Sequence, residues 1–264
     1  FPPMSFINMD PQIFFNKEDQ EKKILNMSKI NKTLLDKYFS KKSDYYQQFD
    51  RINCNLAIHY NLGSETVWNN FMNNINTFLK PGGYMLITTY DGDLIDKSFE
   101  DKDTKSIYYT DKFGKETLFH EIKKKYKKVD EKGLGYGIDM FNSIFMEEGS
   151  YYTEYLVFKD FLINEFKKKC NMHIVETDLF VNVYNNHKDF LENMKNNAVD
   201  ERDRKRYGEI YDFYNLKEPI NKASFEDFKM FRYYIFKKDD NAPNKFFKPG
   251  KKAYEKVKKQ MRKI

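Results

Sequence analysis

Arg51-Ile-Asn-Cys-Asn-Leu-Ala-Ile-His-Tyr60 is the stretch whose reading decides the fold. Arg51 to Ala57 reads as a buried strand, and it runs into an exposed pair, His59 and Tyr60. Asn61-Leu-Gly-Ser64 then turns the chain into a helix, with Ser64 as a good N-cap and Glu65 suited to the positive helix start. Val67, Trp68, Phe71, Met72, Ile75, Phe78 and Leu79 recur at helical spacing and mark one apolar face, so Trp68 reads as core rather than ligand. The helix is expected to end at Lys80-Pro-Gly-Gly83, and a second strand, Tyr84 to Thr89, follows. This is a βαβ crossover, which predicts an α/β fold with two parallel neighbouring strands and a right-handed connection. Ligands of open α/β sheets sit beyond the carboxyl ends of such strands. Those ends carry Asn55, Leu56, His59 and Tyr60 on the first strand, and Tyr90, Asp91, Gly92 and Asp93 on the second.

Outward from this centre, Met4 to Asp10 reads as a strand stopped by Pro11, and residues 17–40 carry helical periodicity. Ser40 to Gln48 reads as a polar loop. Thr104–Tyr109 and Thr117–Lys124 read as short strands around the turn Asp111-Lys-Phe-Gly114. The run Lys123-Lys-Lys-Tyr-Lys-Lys128 has two readings, a solvated edge strand or a contact with an RNA backbone, because lysine pairs with phosphates regardless of sequence. Tyr136 to Phe145 reads as a strand, Glu147 to Ser150 as a turn, and Tyr152 to Tyr155 as the lead into a helix that carries Val157, Phe158, Phe161, Leu162 and Phe166 inward. Met172 to Phe180 is a further strand, 184–222 is helical and highly charged, 223–230 a short approach, and Phe231 to Phe236 the last strand. These elements predict one domain over 1–238, followed by a linker and a basic tail over 239–264.

The chain has 264 residues, enough for one domain with a sizeable core. Aromatic residues reach 17%, and Lys and Asn abound, which is what AT-rich codons give and carries no functional argument. A net charge of +6 favours an anionic partner over a cationic one. The two cysteines, Cys54 and Cys170, lack metal-ligand spacing, so neither a disulfide framework nor a zinc site is expected, and a reducing compartment is. No apolar run approaches a membrane span. The chain starts with Phe and reads as part of something longer. No P-loop or Gly-x-Gly-x-x-Gly occurs, and Gly133-Leu-Gly-Tyr-Gly137 precedes a strand rather than joining strand to helix, which makes it a poor phosphate cradle.

Polar strand ends suit a nucleotide-like ligand. Asp10 can accept from an adenine amino group or cap a helix that Pro11 would start. His59 has no visible partner to orient it as a general base, so a packed imidazole and a ligand contact remain equal readings. The residues alone describe an α/β nucleotide-type domain without acid/base machinery.

Asp50 to Tyr60, with its Cys-x-x-x-x-His-Tyr signature, Asn73 to Tyr84 and Thr88-Thr89 resemble the mRNA cap guanine-N7 methyltransferases. Tyr136-Gly137, Thr153-Glu-Tyr-Leu-Val157, Lys169 to Val175 and Tyr233 to Lys238 follow that family's order and spacing. The flavour, including Tyr90-Asp-Gly-Asp-Leu-Ile95, is similar to the capping enzymes of large DNA viruses. The resemblance covers about residues 4–238.

It implies a Rossmann-like sheet with helices on both faces, S-adenosylmethionine (SAM) as cofactor, and methylation of the cap guanine at N7. It implies SAM contacts at Asp10, Asn55, Leu56 and Tyr60, and cap-guanine contacts at His59, Tyr60, Glu154 and Tyr233. The partners it implies are the capped mRNA 5′ end, and other capping domains or RNA polymerase, with no membrane and no metal. The location is host cytoplasm or virion for a viral protein and nucleus for a cellular one. Cellular members often carry Pro where Tyr90 stands. The family's Gly-rich SAM loop and first two strands would precede Phe1, which leaves a non-catalytic, RNA-binding or partner-stimulating subunit as the alternative.

Overall fold

A computed structural model describes residues 4–40, 42, 49–130, 133–147, 149–214 and 218–242. The fold is α/β. Its elements are α1 (Lys17–Lys23), α2 (Lys29–Phe39), β1 (Phe49–Asn55), a 3-10 turn (Ile58–Asn61), α3 (Glu65–Phe78), β2 (Leu79–Tyr90), α4 (Gly92–Ser98), β3 (Thr104–Thr110) and β4 (Glu116–Lys124). They continue with β5 (Gly137–Asn142), β6 (Tyr152–Tyr155), α5 (Lys159–Cys170), β7 (Met172–Leu179), α6 (Phe180–Asn197), α7 (Glu201–Tyr214), α8 (Pro219–Phe228) and β8 (Phe231–Lys238). One four-stranded sheet has the order β1-β2-β8-β7, and a second has β3-β4-β5-β6. The chain forms two compact units. Phe1–Ile87, Asp160–Glu176 and Tyr234–Ile264 make the first, Thr88–Lys159 and Thr177–Tyr233 the second.

In the first unit, β1 and β2 are neighbours joined through α3, as the central stretch predicts. Ser64 caps α3 by accepting from the Val67 amide at 3.4 Å. Trp68, Phe71, Met72, Ile75 and Phe78 are buried, and the Trp68 indole donates to Glu165 at 2.7 Å, so Trp68 is a core residue. The helix is buried beyond one face, because Asn73, Asn74 and Asn76 are buried as well. Asn74 accepts from the Phe15 amide at 2.8 Å and donates to the Ile13 carbonyl at 2.8 Å, while Asn70 donates to the Gln12 carbonyl at 3.0 Å. These side chains seat residues 11–15 on the helix. At its other end, the buried Lys238 donates to the Asn76 and Leu79 carbonyls at 2.5 and 2.9 Å, a cation on carbonyls that a helix leaves without partners.

Several expectations are corrected here. Met4 to Asp10 is not a strand. The Asn31 side chain takes both the amide and the carbonyl of Asn8, at 2.7 and 2.8 Å, and Gln20 does the same for Asp10, at 2.8 and 2.9 Å. A primary amide offers a donor and an acceptor like a peptide group, so it replaces a strand neighbour. The helical stretch over 17–40 forms two helices, since Asn26 adopts a left-handed φ of 57° and Ser28 opens α2 by accepting from the Asn31 amide. β1 is half-exposed rather than buried and lies at the end of its sheet's strand order. It ends at Asn55 because Leu56 turns left-handed, with φ 50°. Lys80 to Gly83 belongs to β2 and not to a turn before it.

In the second unit, the β3–β4 hairpin forms where predicted. The Asp111 carboxylate accepts from the Phe113 and Lys115 amides, at 2.8 and 2.9 Å, and Gly114 takes φ 80°. β4 is interior, paired with β3 and β5, which corrects the edge-strand reading. Three of the basic run face acids: Lys123 pairs with Glu121 at 2.9 Å, Lys124 with Asp96 at 3.8 Å, and Lys125 with Asp139 at 3.0 Å. Tyr152–Tyr155, which leads towards α5, is itself strand β6, and the charged helical region is three helices among the described residues, of which α8 runs on to Phe228 through most of the segment read as a short approach. Pro219 stands in the first turn of α8. Tyr184, Tyr214, Phe225 and Phe228 pack together, with Tyr184–Tyr214 centroids 4.7 Å apart, and join α6, α7 and α8. The basic tail beyond Ala242 lies outside the described residues, as do most of the Ser40–Gln48 loop and Glu148 of the 147–150 turn.

Candidate functional site

The site residues expected from sequence fall in both units, Asp10, Asn55, Leu56, His59 and Tyr60 in the first and Glu154 and Tyr233 in the second.

In the first unit, β1 ends and the chain turns at once. Asn55 and Leu56 are exposed at that end, and the left-handed Leu56 presents its side chain with 49% exposure. The 3-10 turn follows. It buries His59, which corrects the expected exposed pair, while Tyr60 is exposed. The two rings meet edge to face, 4.1 Å between centroids. Asp10 closes a local turn by accepting from the Gln12 amide at 2.9 Å, and no helix starts at Pro11. The Gln12 side chain donates to the Tyr60 carbonyl at 3.0 Å. Gln12 therefore brings Asp10 and Tyr60 together, a link of 48 positions that no local pattern announces.

Burial pushes the His59 imidazole down to about 4, from an ordinary 6.5. His59 is neutral at pH 7 and is no poised acid or base. The unfolded chain binds more protons between those two values, so stability is full above the unfolded pKa and falls as pH drops through about 6.5 towards about 4. The expected loss is roughly 3 kcal/mol in full. Thermal midpoints of the parent and His59→Gln at pH 7 and pH 5 check this, with the parent falling further. Burial also pushes Cys54 up to about 11 and Cys170 up to about 12, so neither thiol is a nucleophile at neutral pH.

In the second unit, Tyr90 ends β2 with its ring 4.0 Å from Phe231 and its hydroxyl donating to Asp227 at 2.9 Å. Burial first, then the Asp227 and Glu154 charges, hold the Tyr90 phenol well above its usual range, so it stays protonated. Asp91 and Asp93 are structural. Asp91 caps α4 through the Leu94 amide at 3.0 Å and pairs with Arg232 Nε at 2.5 Å, and Asp93 accepts from the Lys159 amide at 3.0 Å. The Gly92 amide donates to the Val157 carbonyl at 2.9 Å, and a Cβ on Gly92 would come within 2.8 Å of the Val157 backbone. Only glycine permits that approach. Glu154 stands on β6 opposite Ile138, partly buried. Tyr233 is half-buried on β8, where its carbonyl accepts from the Thr177 hydroxyl at 2.6 Å.

Sequence reasoning missed His120, Asp227 and Arg232. Each lies far along the chain from its partner, and only the fold brings them to the end of β2. Together these residues offer a carboxylate acceptor beside the Tyr90 and Phe231 rings.

The model of the mRNA (guanine-N(7))-methyltransferase domain matches residues 14–239. A protein of Acanthamoeba polyphaga mimivirus, described as a "Probable mRNA-capping enzyme", is 40% identical over 247 residues, which is 90% of this chain and 21% of that protein. The chain therefore spans about a fifth of that relative's length. Solved S-adenosylmethionine-dependent methyltransferases from Clostridium acetobutylicum and Mesorhizobium loti are each 13% identical, with TM-scores of 0.35 and 0.33. Each match covers 73% of this chain, and 59% and 64% of the respective structures.

Proposed function

We propose that this chain methylates guanine N7 of the mRNA cap, since it belongs to the mRNA (guanine-N(7))-methyltransferase domain family. SAM, when bound, supplies an electrophilic methyl group on a sulfonium. Guanine N7 carries a neutral lone pair, so no proton has to leave before attack. A neutral, buried His59 and two protonated thiols are compatible with such chemistry. Holding two reactants in line can contribute roughly 7–11 kcal/mol without any acid or base.

The end of β1 fits an adenosine-like group. Leu56 and Tyr60 offer exposed apolar surface, and Asp10, tied to Tyr60 through Gln12, offers an acceptor for an amino group. We assign Asp10, Asn55, Leu56 and Tyr60 to SAM, and His59, Tyr60, Glu154 and Tyr233 to the cap guanine. The observation that carries the guanine assignment is Glu154, a partly buried carboxylate whose charge acts on the buried Tyr90 phenol. Such a group can accept from the guanine N1–H and N2 amino edge and offset the positive charge of the methylated product. An aromatic face such as that of Tyr60 or Tyr233, set over the guanine, would favour that cation over the neutral base.

The partners proposed are the capped mRNA 5′ end, with other capping domains or RNA polymerase, in host cytoplasm or virion. Among the described residues, no helix is long and apolar enough to cross a membrane, and no group of three His, Cys, Asp or Glu is placed to hold a metal. The test is transfer of labelled methyl from SAM by the full-length protein to GpppRNA, ApppRNA and already N7-methylated capped RNA. Label on GpppRNA alone, recovered as N7-methylguanosine, is expected. RNA binding without transfer would favour the non-catalytic subunit instead.

A further inference from the structure

Tyr90 is buried at the end of β2, and its hydroxyl is already committed. The Asp227 oxygen that accepts it at 2.9 Å also faces His120 Nδ1 at 2.9 Å. His120 is 1% exposed and Asp227 8%. The Tyr90 ring stacks with Phe231, at 4.0 Å and 30°, and with His120, at 5.9 Å and 21°. His120 Nε2 is buried without a hydrogen-bond partner among the described residues, so Asp227 holds the polar edge of that ring.

The sheet places His120 on the same face as Glu154, four residues along and two strands across, and the Glu154 charge reaches the Tyr90 phenol. On β4, His120, Ile122 and Lys124 alternate onto one face, opposite Asn142, Met140 and Ile138 of β5, and Ile138 lies opposite Glu154 of β6. His120 and Glu154 therefore share a face. The chain leaving Tyr90 is fastened to the chain leaving Glu154 by the Gly92–Val157 bond, with no room for a Cβ. Tyr90 is two residues, and Glu154 three, from that fixed point.

A phenol near a carboxylate donates to it unless another acceptor holds the proton, because hydrogen bonds to charged groups are the strong ones. We infer that Asp227, with His120 behind it, is a positioning pair that takes the Tyr90 hydroxyl and keeps it from competing with the guanine edge for Glu154. This rests on the assignment of Glu154 to guanine. A merely structural role would not distinguish one substrate from the other, whereas this role touches the cap side alone.

The experiment is a double-substitution cycle in the full-length protein, reading KM for GpppRNA and for SAM, with circular dichroism to confirm folding. Asp227→Ala is expected to raise KM for GpppRNA about tenfold or more and leave that for SAM in place. Adding Tyr90→Phe to Asp227→Ala removes the competing hydroxyl and is expected to bring the cap KM back towards the parent. If Asp227→Ala does not fold, Asp227→Asn with and without Tyr90→Phe reads the same reversal. Glu154→Gln runs alongside. If it keeps the parental cap KM and rate, the guanine assignment fails and this inference falls with it. If Glu154→Gln is impaired but Tyr90→Phe restores nothing, or both KM values move together, the positioning role alone is overturned.

Discussion

Glu154→Ala reduces kcat/KM for methyl transfer to capped RNA by about two to three orders of magnitude and leaves the fold intact. Two hydrogen bonds to a carboxylate contribute roughly 1.5–3 kcal/mol each, and each 1.36 kcal/mol is a factor of ten in rate. The loss grows in the transition state, where the guanine acquires positive charge that the carboxylate offsets. Glu154→Gln keeps the volume but aims an amide donor at the guanine donors, so it is expected to rescue little. Folding should survive because Glu154 is on the last strand of its sheet's order and only partly buried. Single-turnover methylation, with circular dichroism of the same samples, gives the answer. A rate within threefold of the parent would remove Glu154 from the reaction.

The second large effect falls on stability. Arg232→Ala is expected to destabilise the protein by about 3–5 kcal/mol, because it strands a buried carboxylate. Asp91 is 1% exposed, and its Oδ2 sits 2.5 Å from Arg232 Nε. Its other oxygen is occupied in capping α4, so no spare donor replaces the guanidinium from within that helix start. Arg232→Lys is expected to recover only part of the loss, since an ammonium cannot reproduce the planar fork. Thermal midpoints of the parent and both variants at one pH measure it. Equal midpoints for the parent and Arg232→Ala would show that the pair contributes nothing net, as many exposed pairs do.

The parts legible in the sequence were those written in local pattern. The α3 face from Trp68 to Phe78, the Ser64 cap and the Asp111–Gly114 hairpin all follow from spacing and turn chemistry, and they stand where expected. What misled was pattern without knowledge of partners. Met4 to Asp10 alternates like a strand, yet its backbone is held by Asn31 and Gln20, which no alternation encodes. His59 reads as exposed beside Tyr60 because both follow the end of a strand, yet the 3-10 turn there folds Ile58, His59 and Asn61 inward and leaves only Tyr60 out. In the second unit, Glu154 was reached through a resemblance and not through its surroundings. Tyr90, His120 and Asp227, which meet at the end of β2, come from two strands and a helix whose second half reads from sequence as a short approach to the last strand.

The path of the N-terminal arm is written elsewhere than in the arm. Met4 and Phe6 are 76% and 84% exposed, while the amides that fix the backbone belong to Gln20, Asn31 and Asn74. Chemical ageing therefore has a defined target. Deamidation of any of the three turns a donor–acceptor group into a charged acceptor, and a carboxylate cannot return a hydrogen bond to a carbonyl. Gln20 holds Asp10, Asn31 holds Asn8 before it, and Asn74 holds Ile13 and Phe15 after it, so the path of the arm through Asp10 depends on the chemical durability of three side chains in helices.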